Sequence, residues 1–252
     1  MADEMQTSDT ALSPAAEALR RTSWLSEVAP GTLDGLADQS ALLKAPAGVQ
    51  LFEQAETPGF ALFLLEGAVD LLAVRGAEEI MVELVRAVDI LLPAAVLARL
   101  PYLVRARVHE DSQLLLVPAE PFRHAVASDQ AFCLAVLACQ AAQFRRQMKL
   151  AKSIRLRSTE ERVGAFLVAL CAENAGATSI RLPLEKRLIA SRLGMSRETL
   201  SRTLPAMARH GLRVVGDRLH VDDLASAMAA FPPDPLIDGP EPISPLKPIE
   251  VS

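Results

Sequence analysis

The stretch from Leu184 to Gly211 constrains the fold of this chain more than any other. It reads Leu184–Leu193, Gly194-Met195, Ser196–His210 and then Gly211. Two amphipathic segments around one glycine are the pattern of two helices meeting at a sharp turn, and Gly194 can take the positive φ that the turn needs. Ala190 is small where a larger side chain would hold the helices apart. Ile189, Leu193, Leu200 and Leu204 fall on the faces that would bury between them. Ser196 is a natural N-cap for the second helix. Glu198 follows it by two residues rather than three, so the pattern is not a strict capping box. Pro205 lies inside the second segment, forfeits a backbone hydrogen bond and predicts a kink there.

The chemistry of the second helix lies before that kink. Ser196, Arg197, Glu198 and Thr199 stand at its N-terminal end, with Ser201 and Arg202 on the next turn. In a helix-turn-helix these are the positions that enter the major groove. Arginine offers paired donors to guanine, and glutamate accepts from the cytosine amino group. Arg187, Arg192 and Ser201 are placed to meet phosphates. An amphipathic helix pair with a few arginines is common, and any one feature is weak. The joint spacing of Ala190, Gly194 and Leu200 with the cap and the Arg/Glu tip predicts a DNA-reading unit. Gly211–Val221 then reads as a β-hairpin wing around Gly216-Asp217.

Charge agrees. The net charge is −5, yet the stretch 155–220 holds 12 Lys+Arg against 6 Asp+Glu, leaving −11 on the rest. One basic module on an acidic chain predicts that only that module meets a polyanion. The start, Met1–Thr10, is polar and acidic rather than signal-like. No run reaches the roughly 18 apolar residues of a membrane span. Three cysteines make no CxxC pair or disulfide framework, which predicts a reduced, cytoplasmic, non-membrane protein. No catalytic grouping, P-loop or metal motif is present, so an enzyme is not expected.

The organisation expected is α+β. Residues 1–22 read as a flexible lead. Residues 23–130 read as a β-roll, from the short apolar segments Val49–Phe52, Phe60–Leu65, Val69–Val74, Ile80–Val85 and Leu114–Val117. A short helix from Pro93 to Leu100 interrupts them. Residues 131–154 read as one long helix. Its Leu134, Leu137, Ala141, Phe144, Met148 and Ala151 repeat at alternating spacings of three and four, a heptad seam that predicts a homodimer contact. Packing of that face within its own domain is the plainer alternative. Residues 155–227 form the winged helix-turn-helix. Seven of the 17 prolines lie between Phe231 and Ser252, so 228–252 reads as a disordered tail.

This order of roll, long helix and winged helix-turn-helix resembles the Crp/Fnr family of bacterial transcription regulators. The resemblance runs from about Trp24 to Ala227 and is strongest at Gly194-Met-Ser-Arg-Glu-Thr-Leu-Ser-Arg202. It implies a cyclic-nucleotide-binding-like roll, a homodimer on palindromic double-stranded DNA, and RNA polymerase as a partner. It also implies base contacts by Arg197, Glu198 and Arg202. The cyclic-nucleotide cassette of the family is missing its Gly-Glu. Leu91-Leu92-Pro93-Ala94 stands there, so cAMP is not expected, although Arg105 and Arg107 are near. No cysteine precedes Cys133, which argues against an iron–sulfur cluster.

Ile180–Ala190 is similar to the Dnr-type branch, and that likeness implies haem and nitric oxide sensing for denitrification-type genes. An apolar slot for haem would draw on Leu92, Val96, Leu97, Leu100 and Phe132. Candidate iron ligands are His109, His124, Cys133 and Cys139. Each has a plainer reading. His109 lies in a polar stretch resembling a hairpin turn, His124 follows a helix start, and the cysteines suit a core. The alternative is a regulator without haem or cyclic nucleotide, controlled by abundance or another ligand.

Overall fold

A computed structural model describes residues 13–76, 78–174, 177–239 and 243 of the chain. Its first element corrects the expectation of a flexible lead. Pro14–Arg21 is a helix (α1) capped by the Ser13 hydroxyl, with Ala15, Ala16 and Leu19 buried. Arg20 clamps Asp34 of α2 (Pro30–Ala37) with hydrogen bonds of 2.8 and 2.7 Å. Alanine and leucine at these spacings make an apolar stripe, and the proline at the first turn costs the helix nothing. The acidic start, 1–12, lies outside the described residues.

The roll is a six-stranded antiparallel sheet of β1 (Ala41–Ala45), β2 (Gln50–Phe52), β3 (Phe60–Arg75), β4 (Glu78–Arg86), β5 (Asp89–Leu91) and β6 (Arg105–Pro118). Its main order is β1-β6-β3-β4, with β2 on β6 and β5 on β3. Two expected strands, Phe60–Leu65 and Val69–Val74, are one strand of 16 residues. Gly67 is a break in register rather than a turn. It sits at φ +87, and a Cβ there would lie 2.3 Å from Ser112 Oγ. His109 to Ser112, which read as a hairpin turn, runs straight through β6.

Two apolar clusters fill the roll. One holds Phe52, Leu64, Val69, Leu71, Leu91, Tyr102 and Val108 inside the sheet. The other joins Trp24, Phe63, Val96, Phe122 and Phe132 to α1, α2 and the helices after β6. Those helices are α4 (Ala119–Ser128) and α5 (Gln130–Leu156), while Pro93–Ala98 (α3) lies between β5 and β6. The Asp129 side chain caps α5 at the Phe132 amide, 3.0 Å away.

The C-terminal unit comprises α6 (Thr159–Glu173), β7 (Ser179–Arg181), α7 (Lys186–Arg192), α8 (Arg197–Thr203), β8 (Leu212–Val215) and β9 (Arg218–Val221). Ser158 and Glu161 form a full capping box on α6. The hairpin wing forms as expected and gains β7 as a third strand, in the order β7-β9-β8. The second helix of the pair changes to 3-10 geometry at Leu204, one residue before Pro205. That is the response expected where a proline cannot continue an α-helix.

The segment from 228 onward departs from its reading as a disordered tail. Leu224–Ala230 (α9) and Pro235–Asp238 (α10) are helices. Phe231 is buried against Gly164, where a Cβ would lie 2.3 Å from its ring. Residues 240–242 and 244–252 lie outside the described residues.

Candidate nucleic-acid interface

The Gly194 turn has φ +64 and packs against α5, so a Cβ there would lie 2.5 Å from Ile154 Cδ1. Ile189, Ala190, Leu200 and Leu204 are buried as the spacing required, and Leu193 is half-buried. The Ser196 hydroxyl accepts from the Thr199 amide at 3.1 Å and lies 3.0 Å from the Thr199 hydroxyl. This cap starts α8 with Arg197, Glu198, Ser201 and Arg202 exposed and Thr199 half-buried. Among the described residues no ion pair within 4.0 Å holds Arg197 or Arg202. Its own amide first, then the Ser196 hydroxyl and the charges of Arg197 and Arg202, hold the Glu198 carboxyl below its usual range. It therefore stays an ionised acceptor across neutral pH.

Arg187 and Arg197 border one depression of ≈ 380 Å³, together with Lys186 and the wing turn Gly216-Asp217. Lys186 drew no notice in the sequence; its place beside Arg187 at a helix start was the available signal. Arg192 is not part of that group. Its guanidinium stacks over the Phe166 ring at 5.9 Å and faces a cleft between the two units. Arg187 also reaches back to the roll, its Nη2 donating to Asp70 Oδ2 at 3.4 Å.

The face of α5 that carries the heptad seam is open. Leu137, Phe144 and Met148 are 51%, 62% and 52% exposed, and Leu134, Ala141 and Ala151 are half-buried. The opposite face is closed by a polar network on the roll. Asp89 accepts from Gln143 Nε2 at 2.8 Å, Arg146 Nη2 at 2.8 Å and the Cys139 thiol at 2.9 Å. Glu83 accepts from Arg146 Nε at 3.0 Å and Gln147 at 2.6 Å.

The residues named for haem do not converge. Val96, Leu97 and Phe132 belong to one core cluster and Leu92 to the other, while Leu100 is 59% exposed. His109 Nδ1 sits 3.1 Å from Asp70, and His124 is exposed on α4. Cys133 is half-buried, and burial beside Asp89 pushes the Cys139 thiol far up, against the thiolate that iron binding needs. Among the described residues no group of three His, Cys, Asp or Glu could hold a metal ion. The residues named for haem thus lie in separate parts of the roll. Inside the roll, Phe52 and Tyr102 stack at 3.7 Å between ring centres. Arg105 holds Glu53 and Glu79, and Arg107 holds Glu79.

Comparison with known proteins places this geometry. Residues 161–226 match the model of the Crp-like helix-turn-helix domain. The chain is 37% identical over 62 residues to the nitrogen fixation regulation protein FixK of Rhizobium meliloti, a match covering 25% of this chain and 29% of that protein. The structure of FixK2 from Bradyrhizobium japonicum aligns at a TM-score of 0.59 and 17% identity, over 76% of this chain and 97% of that one. The c-di-GMP responsive global regulator CLP from Xanthomonas campestris aligns at 0.64 and 15% identity, over 77% and 100%. The fold is thus that of the Crp/Fnr regulators, an antiparallel roll, a long helix and a C-terminal helix-turn-helix, and the C-terminal unit is a Crp-like domain. The Dnr-type branch is not singled out. Among the described residues no single helix is long and apolar enough to cross a membrane.

Proposed function

We propose that this protein is a DNA-binding transcription regulator that works as a homodimer in the cytoplasm, with RNA polymerase as its further partner. One observation carries the reading: Arg197, Glu198 and Arg202 stand open on a capped α8 within a Crp-like helix-turn-helix. The apolar stripe of Leu137, Phe144 and Met148 supports the dimer, because such a row on one helix face favours a second copy of the same helix. Two reading helices related by a twofold axis imply palindromic double-stranded DNA with half-sites about one helical turn apart.

Of the two inputs weighed, we favour the one without haem. The dispersed iron-ligand candidates, with Cys139 tied to Asp89, support control by another ligand or by abundance. Haem-based nitric oxide sensing rests on the resemblance to Dnr-type proteins.

Enrichment of the bound fraction from a random duplex library tests the function. The full chain is expected to select an inverted repeat, and selection of no sequence would sink the reading. Phe144→Asp is expected to shift sedimentation from dimer to monomer and to weaken the selected duplex together with it. A haem titration is expected to leave the Soret band as in free haem. A saturable one-to-one shift that changes again with nitric oxide would restore the haem reading.

A further inference from the structure

The chain beyond α9 makes a set of contacts that the DNA-binding reading does not use. Phe231 sits in the notch at Gly164 of α6, edge-on to His210 at 4.8 Å. From there the chain crosses to the long helix α5. Arg157 grips Asp238 with two hydrogen bonds of 2.6 and 2.8 Å, and both side chains are largely buried at 13% and 16% exposure. Lys152 pairs with Asp234 at 3.2 Å, and Lys149 donates to the Gly239 carbonyl at 3.1 Å. Ile243 then packs on the cluster that holds Trp24, Phe63 and Phe132. The described stretch 231–239 thus runs from the helix-turn-helix unit to the end of α5.

The helix-turn-helix unit also meets the roll. The Ser191 hydroxyl of α7 donates to the Met81 carbonyl of β4 at 2.8 Å, and Arg187 reaches Asp70 of β3, which His109 also faces. Ile237, Asp238 and Gly239 line the same ≈ 580 Å³ cleft as Met81, Ser191 and Leu193. The two contacts therefore border one gap and hold its sides together.

We propose that residues 231–239 are an acidic strap that clamps the helix-turn-helix unit onto the long helix, holding it docked on the roll with Arg187 turned to Asp70 instead of DNA. The proposal rests on the DNA-binding reading above. Release of the strap lets α7 leave β4 and makes Arg187 available to a phosphate. The strap's anchors are carboxylates on cations at the end of α5; salt weakens mainly the more exposed Lys152–Asp234 pair and screens the buried Arg157–Asp238 pair much less.

The test uses the full chain with Asp234→Asn and Asp238→Asn together, which touch neither the reading helix nor the roll. Hydrogen exchange without DNA reads the docking, and anisotropy with one labelled 30-base-pair duplex at fixed salt reads binding. Faster exchange in Lys186–Arg192 and in β4, with tighter duplex binding by about tenfold, is the expected result. A charge reversal, Arg157→Asp with Asp238→Arg, is expected to restore slow exchange. Unchanged exchange at α7 and β4 in the double variant overturns the strap as a clamp. Faster exchange there with unchanged duplex affinity overturns the claim that docking withholds DNA contacts. Failure of both forms to bind this duplex and to select any sequence from the random library removes the DNA-binding reading, and the exchange data tell that failure apart from a failed strap.

Discussion

The roll and the helix-turn-helix unit use arginine in opposite ways. In the roll, Arg105 and Arg107 stand on β6 and meet Glu53, just after β2, and Glu79 on β4, so that each guanidinium is held by at least one carboxylate. In the reading helix, Arg197 and Arg202 are exposed and without an ion pair among the described residues. A guanidinium already forked onto a carboxylate has its directed donors occupied and adds little pull on an outside anion. One without such a partner keeps its donors for a ligand. The type of residue is the same in both units; the carboxylate opposite decides whether it serves the fold or a partner. Arg187 stands between the cases, since it borders the depression with Arg197 yet touches Asp70.

The widest separation of the two units comes from Arg197→Ala with Arg202→Ala. Each arginine that pairs with a base is worth roughly 1–3 kcal/mol of discrimination, so the double variant is expected to lose roughly 2–6 kcal/mol on the selected duplex. Its thermal unfolding is expected to match the parent. A drop in melting temperature alongside the lost affinity would make these residues part of the fold and erase the contrast.

The roll has its own signature, which leaves DNA aside. Burial, with Glu56 nearby, pushes the Tyr102 hydroxyl up to about 12. The unfolded tyrosine loses its proton near 10, so between about 10 and 12 the unfolded state holds fewer protons and stability falls as pH rises. The loss across that window is roughly 2–3 kcal/mol. Tyr102→Phe is expected to flatten this alkaline slope in chemical denaturation followed on the roll. A slope that survives the substitution would place its origin in another group.

These two units also differed in how far the sequence could be read. The helix pair was legible because its constraints are local. Ala190, Gly194, Ser196 and Leu200 lie within eleven residues, and each has one conformational job. The roll was legible as a class but not as strands. Gly67 looked like a turn because a positive-φ glycine serves turns and register breaks alike, and only Ser112, 45 positions on, tells them apart. The polar run His109 to Ser112 looked like a turn for a similar reason, while in the fold Ser112 Oγ binds the Ala68 amide across the sheet at 3.2 Å. The proline count after 230 hid a segment whose order comes from Phe231, Asp234 and Asp238 meeting partners 67 to 82 positions away. Apolar periodicity could not say that Val96 and Phe132 would share a closed core while Leu100 faced water.

Smaller effects sharpen the comparison from each side. Ser196→Ala removes the cap on α8, an expected loss of about 1 kcal/mol from the C-terminal unit. Calorimetry with separate transitions for the two units would show it in one of them only. Arg105→Ala is the smallest. Its partners Glu53 and Glu79 are 39% and 29% exposed, so water can take over much of the lost pairing. The melting temperature of the roll is expected to fall by at most a few degrees, with duplex affinity unchanged. A loss of affinity equal to that of Arg202→Ala would mean that the roll also presents cations to DNA, and the carboxylate opposite would no longer explain which arginines bind.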